Sequence, residues 1–240
     1  FDTIQAAIDS VKDDGEYTIS LPKGTYKEVL YYNGPATIKL SGQTTEKYGK
    51  DVIISEANDG DICLNKRADS AQKKRCIIEF EGTGNLILEN LTVQNTFERG
   101  SVKGSNTQAE TLGYDGSGFV AAYNCSFLSH QDTLRTTGKT WFYNCYVEGD
   151  TDFIWMESTG KVALFEECEI NAVYDEKHTT KIAYVGAPRM QIGPTAGKGL
   201  VIYNSKLITD PRQKTYLGRT PWRAGYYNQI AYINTKADGI

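Results

Sequence analysis

Three features of this sequence predict an all-β chain wound as a right-handed parallel β-helix, a solenoid with one short helix at its N-terminal end. The first is an internal repeat. AYNCSFLSHQDTL and FYNCYVEGDTDFI lie 20 residues apart, so that Asn124 returns as Asn144, Cys125 as Cys145 and Asp132 as Asp152. The second is a succession of short strand-like runs broken by Gly and Asn. The third is composition, with 16 Tyr and 23 Gly against 6 Pro and 2 Met in 240 residues. Tyr and Thr favour strands, whereas Gly and Asn favour turns.

The chain opens on its one helical pattern. Ile4, Ala7, Ile8 and Val11 recur at helical spacing, and Asp2 or Thr3 is placed to cap the first turn. A helix from Asp2 to Val11 would cover the open end of the solenoid, whose unpaired edge would otherwise invite aggregation. After the DDGEY turn come YTISL, ATIKL, DVIIS, CIIEF, NLILENLTV, GFVAAYNCSF, TWFYNCYV, KVALFEECEI and GLVIYNSKL. The last four share a phrase: an apolar stretch, Asn or Glu, Cys or Ser, then an apolar residue two further on. Asn90-Leu91-Thr92-Val93 is a weaker earlier copy. Cys125, Cys145 and Cys168 return at intervals of 20 and 23, which suits one coil each. An antiparallel sandwich also has many short strands, but nothing in it makes the same residue types return once per coil. No linker or low-complexity tract divides the chain, so residues 1–240 read as one domain.

Composition narrows the function classes. A net charge of −4 without a basic block argues against a nucleic-acid partner. No run approaches the roughly 18 apolar residues that a membrane span needs. The chain begins at Phe1 and is expected to be a processed or trimmed piece, in which a signal peptide would no longer be visible. Cys63, Cys76, Cys125, Cys145 and Cys168 are odd in number and lack zinc spacing. The recurring three read as small apolar residues of an interior ladder, with a disulfide between neighbouring rungs left open. No His or acidic cluster has metal spacing, so neither metal nor cofactor is expected.

The repeat also carries the chemistry. Asp132 and Asp152 each stand seven residues after their cysteine. One coil apart, their carboxylates would stack roughly 5 Å from each other. Two charges at that distance and an effective dielectric of about 20 repel by roughly 3 kcal/mol, or about two pKa units. One carboxyl is therefore pushed up and keeps its proton, while one beside a fixed cation stays ionised, which yields an acid and a nucleophile from identical side chains.

Five segments in order then resemble the motif set of pectin methylesterases: GTYKE (24–28), TQAETL (107–112), SHQDTL (129–134), DTDFIW (150–155) and YLGRTPW (216–222), with FDTIQAAIDSV similar to that family's first helix. The resemblance implies a secreted or extracellular enzyme, periplasmic and cell-surface settings included. It would work as a monomer and remove methyl groups from the C6 esters of polygalacturonate. By the same resemblance Asp152 is the nucleophile that forms an acyl-enzyme. Asp132 protonates the departing methanol and then activates water. Gln108 and Gln131 stabilise the oxyanion, and Arg219 holds Asp152.

Other residues are weighed against plainer roles. Asp150 and Asp175 read as turn formers or backbone caps. His130 reads as a polar, partly buried residue, because its neighbour Ser129 would face the other way along a strand. His178, in a Lys/Glu/Thr-rich loop, reads as exposed. Trp222 and Trp155 are expected as sugar-stacking platforms beside the groove, and Trp141 as a core residue. Tyr26 and Glu28 read as structural, and Asn90 and Asn124 as ladder asparagines rather than glycan sites. Four positions depart from the family pattern: Met156 for Gly, the inserted Thr220, Arg135 for an aromatic, and Glu110 for an aliphatic. Arg135 is expected as an extra cation at the cleft that binds de-esterified galacturonates, and Glu110 to lie near the oxyanion site. Two other readings stand beside the esterase: a non-catalytic carbohydrate-binding or adhesin β-helix, and a β-helix glycoside hydrolase. Release of methanol rather than reducing ends separates them.

Overall fold

The computed structural model describes residues 1–100, 106–156, 161–191, 198–221 and 224–239. Each coil lays one strand in each of three parallel sheets, which hold eight, eight and seven strands among the described residues. The 20-residue repeat is one such coil. Phe119–Tyr123 pairs in parallel with Lys139–Tyr143, Ser126–Leu128 with Tyr146–Glu148, and Leu134–Thr136 with Ile154–Met156. Strand alternation sends Val120, Ala122, Phe127, Leu134, Phe142, Val147 and Ile154 into the core that runs along the axis. Phe142 stacks on Phe165 with ring centroids 4.6 Å apart. Trp141 lies on the opposite face of the same strand and is 45% exposed, not in the core as expected.

The corner between the first and second sheets is the Asn phrase. Asn90, Asn124, Asn144, Glu167, Asn204 and Asn234 all have φ between 47° and 54°. Asn tolerates this left-handed conformation better than most residues because its short amide can bond locally. The amides also bond to one another: Asn124 Nδ2 donates to Asn90 Oδ1 at 2.8 Å, and Asn234 Nδ2 to Asn204 Oδ1 at 2.6 Å. These are ladder asparagines, as expected. The next residue turns inward, so Cys125, Cys145 and Cys168 line the interior as buried free thiols.

At the N-terminal end the helix is Ile4–Asp9, shorter than expected and closed by Ser10. Thr3 Oγ1 accepts from Ala6 N at 3.0 Å, and the Glu28 carboxylate accepts from Ile4 N and Gln5 N, both at 3.0 Å. Gln5 then acts as a substitute strand. Its Nε2 donates to the Tyr31 carbonyl at 3.0 Å, and its Oε1 accepts from Tyr31 N at 2.8 Å. Tyr31 lies in Leu30–Gly34, the edge strand of the third sheet, so this side-chain amide satisfies backbone groups that would otherwise be free to pair with another chain.

Among the described residues, the chain leaves the coil between the second and third sheets over 57–77, 96–100, 106–111 and 173–181. The same corner carries the turns with Asp132 and Asp152. Solenoid strands supply a rigid frame there, and the excursions supply the surroundings.

Candidate active site

The column of acids follows from register. Leu112, Leu134 and Ile154 are paired across three successive coils, and Glu110, Asp132 and Asp152 each stand two residues before their member of that set. Backbone bridges join Gln108 to Gln131 and Gln131 to Thr151. Neighbouring strands lie about 4.8 Å apart, so Asp132 and Asp152 stand on adjacent rungs, as the repeat predicts. Glu110 extends the pair to three carboxylates. Asp132 and Asp152 take φ of 61° and 51°, a conformation that costs about 1 kcal/mol each outside glycine. The turn into Asp150-Thr151-Asp152 is tight. A Cβ on Gly149 would stand 2.3 Å from the Phe153 Cβ and 2.6 Å from the His130 carbonyl oxygen.

Asp152 is 2% exposed. Arg219, directly after the strand Lys214–Gly218, donates from Nη1 to Asp152 Oδ2 at 2.8 Å. Arg189 Nη2 approaches the same oxygen at 3.5 Å. Oδ1 is buried and has no hydrogen-bond partner among the described residues. Burial raises the Asp152 carboxyl above the ordinary range, and Arg219 and Arg189 oppose that rise. Arg219 is the larger of the two opposing influences, through the contact that the resemblance implies for it.

Asp132 is 7% exposed. Burial first, then the charges of Glu110 and Asp152, push its carboxyl well above the usual range, against Arg75 and Arg189. Of the two aspartates, Asp132 is the one whose carboxyl is pushed up further. Its cation, Arg75, donates from Nη2 to Oδ2 at 3.2 Å.

The two glutamines flank the dyad on adjacent rungs. Gln131 Oε1 accepts from Thr107 Oγ1 at 2.6 Å, which leaves its NH2 as a donor without a partner among the described residues. Gln108 is half-buried, with its Oε1 unpartnered among the described residues.

Several expected residues lie elsewhere. Arg135 is 1% exposed and does not reach a cleft. It points outward from the third sheet but is covered by the excursion carrying Cys76. Its Nη2 donates to Glu79 Oε1 at 2.7 Å and its Nη1 to Asp115 Oδ2 at 2.7 Å. Glu79 and Arg135 meet across Gly113, where a Cβ would stand 2.0 Å from Glu79 Oε2. Burial pushes Glu79 up to about 7 despite Arg135.

Trp155 is 2% exposed beneath Arg189, whose guanidinium lies 5.3 Å from the ring centroid. It is a floor under a cation rather than an open platform. Met156 is fully buried in the core beside it. Trp222 lies outside the described residues.

Asp150 and Asp175 are not simply turn formers. Asp150 accepts both Arg99 Nη groups at 2.6 Å, and Asp175 Oδ2 accepts Arg99 Nη1 at 2.5 Å. His130 Nδ1 is 3.2 Å from Asp150 Oδ2 and half-buried, as expected. The ligand atoms of His130, Asp150 and Asp175 do fall within 4.8 Å of one another, a spacing the sequence did not reveal. Arg99 supplies the positive charge there. His178 is half-buried against this group, with Nε2 3.4 Å from Thr151 Oγ1, rather than exposed, and burial lowers its pKa.

Sequence reasoning missed Arg75, Arg189 and Arg99, which lie in segments without a repeat. The basic run KKR (73–75) before CIIEF is the one available trace of Arg75.

Comparison with known proteins agrees with this fold. The sequence pattern of the Pectinesterase family matches residues 1–240. Probable pectinesterase A of Neosartorya fischeri is 30% identical over 246 residues, covering 100% of this chain and 68% of its own length. Probable pectinesterase/pectinesterase inhibitor 17 of Arabidopsis thaliana is 29% identical over 248 residues, and the chain spans 43% of its length. Pectin methylesterase PemA from Erwinia chrysanthemi shares the fold, with a TM-score of 0.75 at 24% identity over 98% of this chain and 74% of its own.

Proposed function

The chain belongs to the pectinesterase family, and on that footing we propose that it hydrolyses methyl esters of polygalacturonate (pectin) through an acyl-enzyme on Asp152. One observation carries the mechanism: Asp152 has Oδ2 fixed by Arg219 while Oδ1 is buried and unpartnered among the described residues, one rung from Asp132, whose carboxyl burial pushes well above the usual range.

Oδ1 of Asp152 attacks the C6 carbonyl. The oxygen that gains charge takes hydrogen bonds from the Gln108 and Gln131 amides, neutral donors already in place. As the tetrahedral intermediate collapses, Asp132 gives its proton to the leaving methoxide, and methanol departs from a mixed anhydride. Asp132, now ionised, takes a proton from water, which attacks the anhydride. The products are a free galacturonic acid, which gives its proton to solvent to become galacturonate, ionised Asp152 and reprotonated Asp132. We place the reaction outside the cell, with the chain acting as a monomer.

Methanol release from highly methylated pectin tests this. Asp152→Asn should lower it by roughly 10³-fold or more while circular dichroism stays unchanged. Hydroxylamine should divert the acyl group to a hydroxamate in the parent chain. A folded Asp152→Asn variant of parental rate would overturn the assignment, and release of reducing ends without methanol would replace esterase with glycosidase.

A further inference from the structure

Arg75 and Glu110 form a buried pair directly beside Asp132. Glu110 is fully buried and Arg75 nearly so. Arg75 Nε lies 2.8 and 2.7 Å from the two Glu110 oxygens, and Nη2 donates to Glu110 Oε1 at 2.6 Å. The same Nη2 reaches Asp132 Oδ2 at 3.2 Å. The backbone on both sides is held. Asn58 Nδ2 donates to the carbonyls of Lys74 (2.9 Å) and Cys76 (3.2 Å), and Asn95 Nδ2 to the carbonyl of Glu110 (3.1 Å). Resting on the esterase reading above, we propose that the Glu110–Arg75 pair is a positioning device for the acid–base residue: Arg75 fixes Asp132 Oδ2, and Glu110 cancels the charge of Arg75.

Both halves are needed. An arginine alone beside Asp132 would favour the carboxylate and strip the acid of its proton. A glutamate alone would lock the proton in place. Paired, they exert little net field while the guanidinium fork still fixes geometry. With Oδ2 accepting from Arg75, the transferable proton is left to Oδ1. Glu110 is the ionised partner because it takes the short, forked contacts, while Asp132 takes one longer contact.

The charged groups facing Asp132 are Glu110 and Asp152, which raise its pKa, and Arg75 and Arg189, which lower it, all on top of burial. Glu110 in turn is raised by burial and lowered by Arg75 and Arg135. Glu110→Gln removes one raising charge and leaves Arg75 uncompensated. The titration midpoint of Asp132 must then fall. Because the acid form exists below that midpoint, the alkaline limb of kcat/KM moves to lower pH with it.

The experiment is a carbon-13 NMR titration of the Asp132 carboxyl, run beside kcat and KM against pH. In Glu110→Gln the midpoint should fall by about one pH unit or more. Arg75→Lys keeps the charge but loses the fork. It should hold the midpoint within about half a unit, change the Asp132 carboxyl shift, and lower kcat about tenfold with KM unchanged. An unmoved midpoint in Glu110→Gln, or a parental kcat and carboxyl shift in Arg75→Lys, overturns the proposal. If Glu110→Gln does not fold, the Arg75→Lys result decides. A lowered midpoint in Glu110→Gln, with a parent chain that releases no methanol, supports the device and sinks the esterase reading. Methanol release with an unmoved midpoint does the reverse.

Discussion

Two corners of the same coil use the same backbone conformation for opposite purposes. At the first, Asn90, Asn124, Asn144, Asn204 and Asn234 turn the chain with φ near 50° and are linked in part by amide-to-amide bonds. At the second, Asp132 and Asp152 adopt φ of 61° and 51° on adjacent rungs, below Glu110, where like groups repel. An amide has both donor and acceptor, so a stack of amides satisfies itself. A stack of carboxylates has acceptors only and needs Arg75, Arg189 and Arg219 to hold it. Repetition stabilises the solenoid at one corner and stores reactivity at the other.

The sharpest way to break the contrast is to make the second corner resemble the first. Asp132→Asn suits the left-handed turn and removes a buried carboxyl from the column. Methanol release should drop by about 10³-fold, the usual scale of a lost general acid. Stability should move the other way. The Asp132 pKa is raised in the folded chain, so its contribution is fully present below the unfolded value and lost as pH rises through the folded one. Asp132→Asn does not suffer that loss, so at pH 7 it should match or exceed the parent by about 1 kcal/mol in urea unfolding, with no gain at pH 3. An inactive variant that is also much less stable would mean that the column is structural.

The reverse exchange places an acid in the amide ladder. Asn124 donates to Asn90 Oδ1 and accepts from Tyr48 N at 2.7 Å. Asn124→Asp keeps the acceptor and sets a carboxylate against the Asn90 oxygen. The cost should be about 2 kcal/mol at pH 7 and smaller near pH 3, where the new group is protonated and can donate. A variant as stable as the parent at both pH values would show that these amides contribute little beyond the turn.

What the sequence made legible divides along the same line. Wherever residues return once per coil, their neighbours follow from counting, so the solenoid, the cysteine and asparagine ladders and the dyad were all readable. Glu110 was readable as an anomaly but not as a third member of the acid column, because its partner Arg75 comes from the excursion at 57–77, where no period fixes position. Arg135 and Trp155 do face outward as strand alternation demands. Their burial comes from Cys76, beside the in-register Glu79, over the one and from Arg189 over the other; Cys76 and Arg189 lie in segments that share no spacing with the repeat. Periodicity tells which way a side chain leaves the coil, not what covers it.

The smallest test lies in the one rung where the amide ladder is interrupted. Glu167 takes the turn at φ 53°, flanked by Asn144 one coil before and Asn204 one coil after. Its backbone is locked into the same pattern: Asn144 N donates to the Glu166 carbonyl at 3.0 Å and Glu167 N to the Tyr203 carbonyl at 3.1 Å. A long side chain gains nothing from this conformation and lacks the local amide bond that makes Asn tolerable there. Glu167 does interact with the Tyr143 hydroxyl, but at an exposed site where such contacts contribute little. Glu167→Asn should therefore stabilise the chain by about 0.5–1 kcal/mol, read as a higher urea midpoint at unchanged slope, with esterase activity unaltered. A loss of stability would mean that the ladder tolerates its gap because the Tyr143 contact outweighs the turn, and the corner would then owe its order to side-chain pairs rather than to backbone preference.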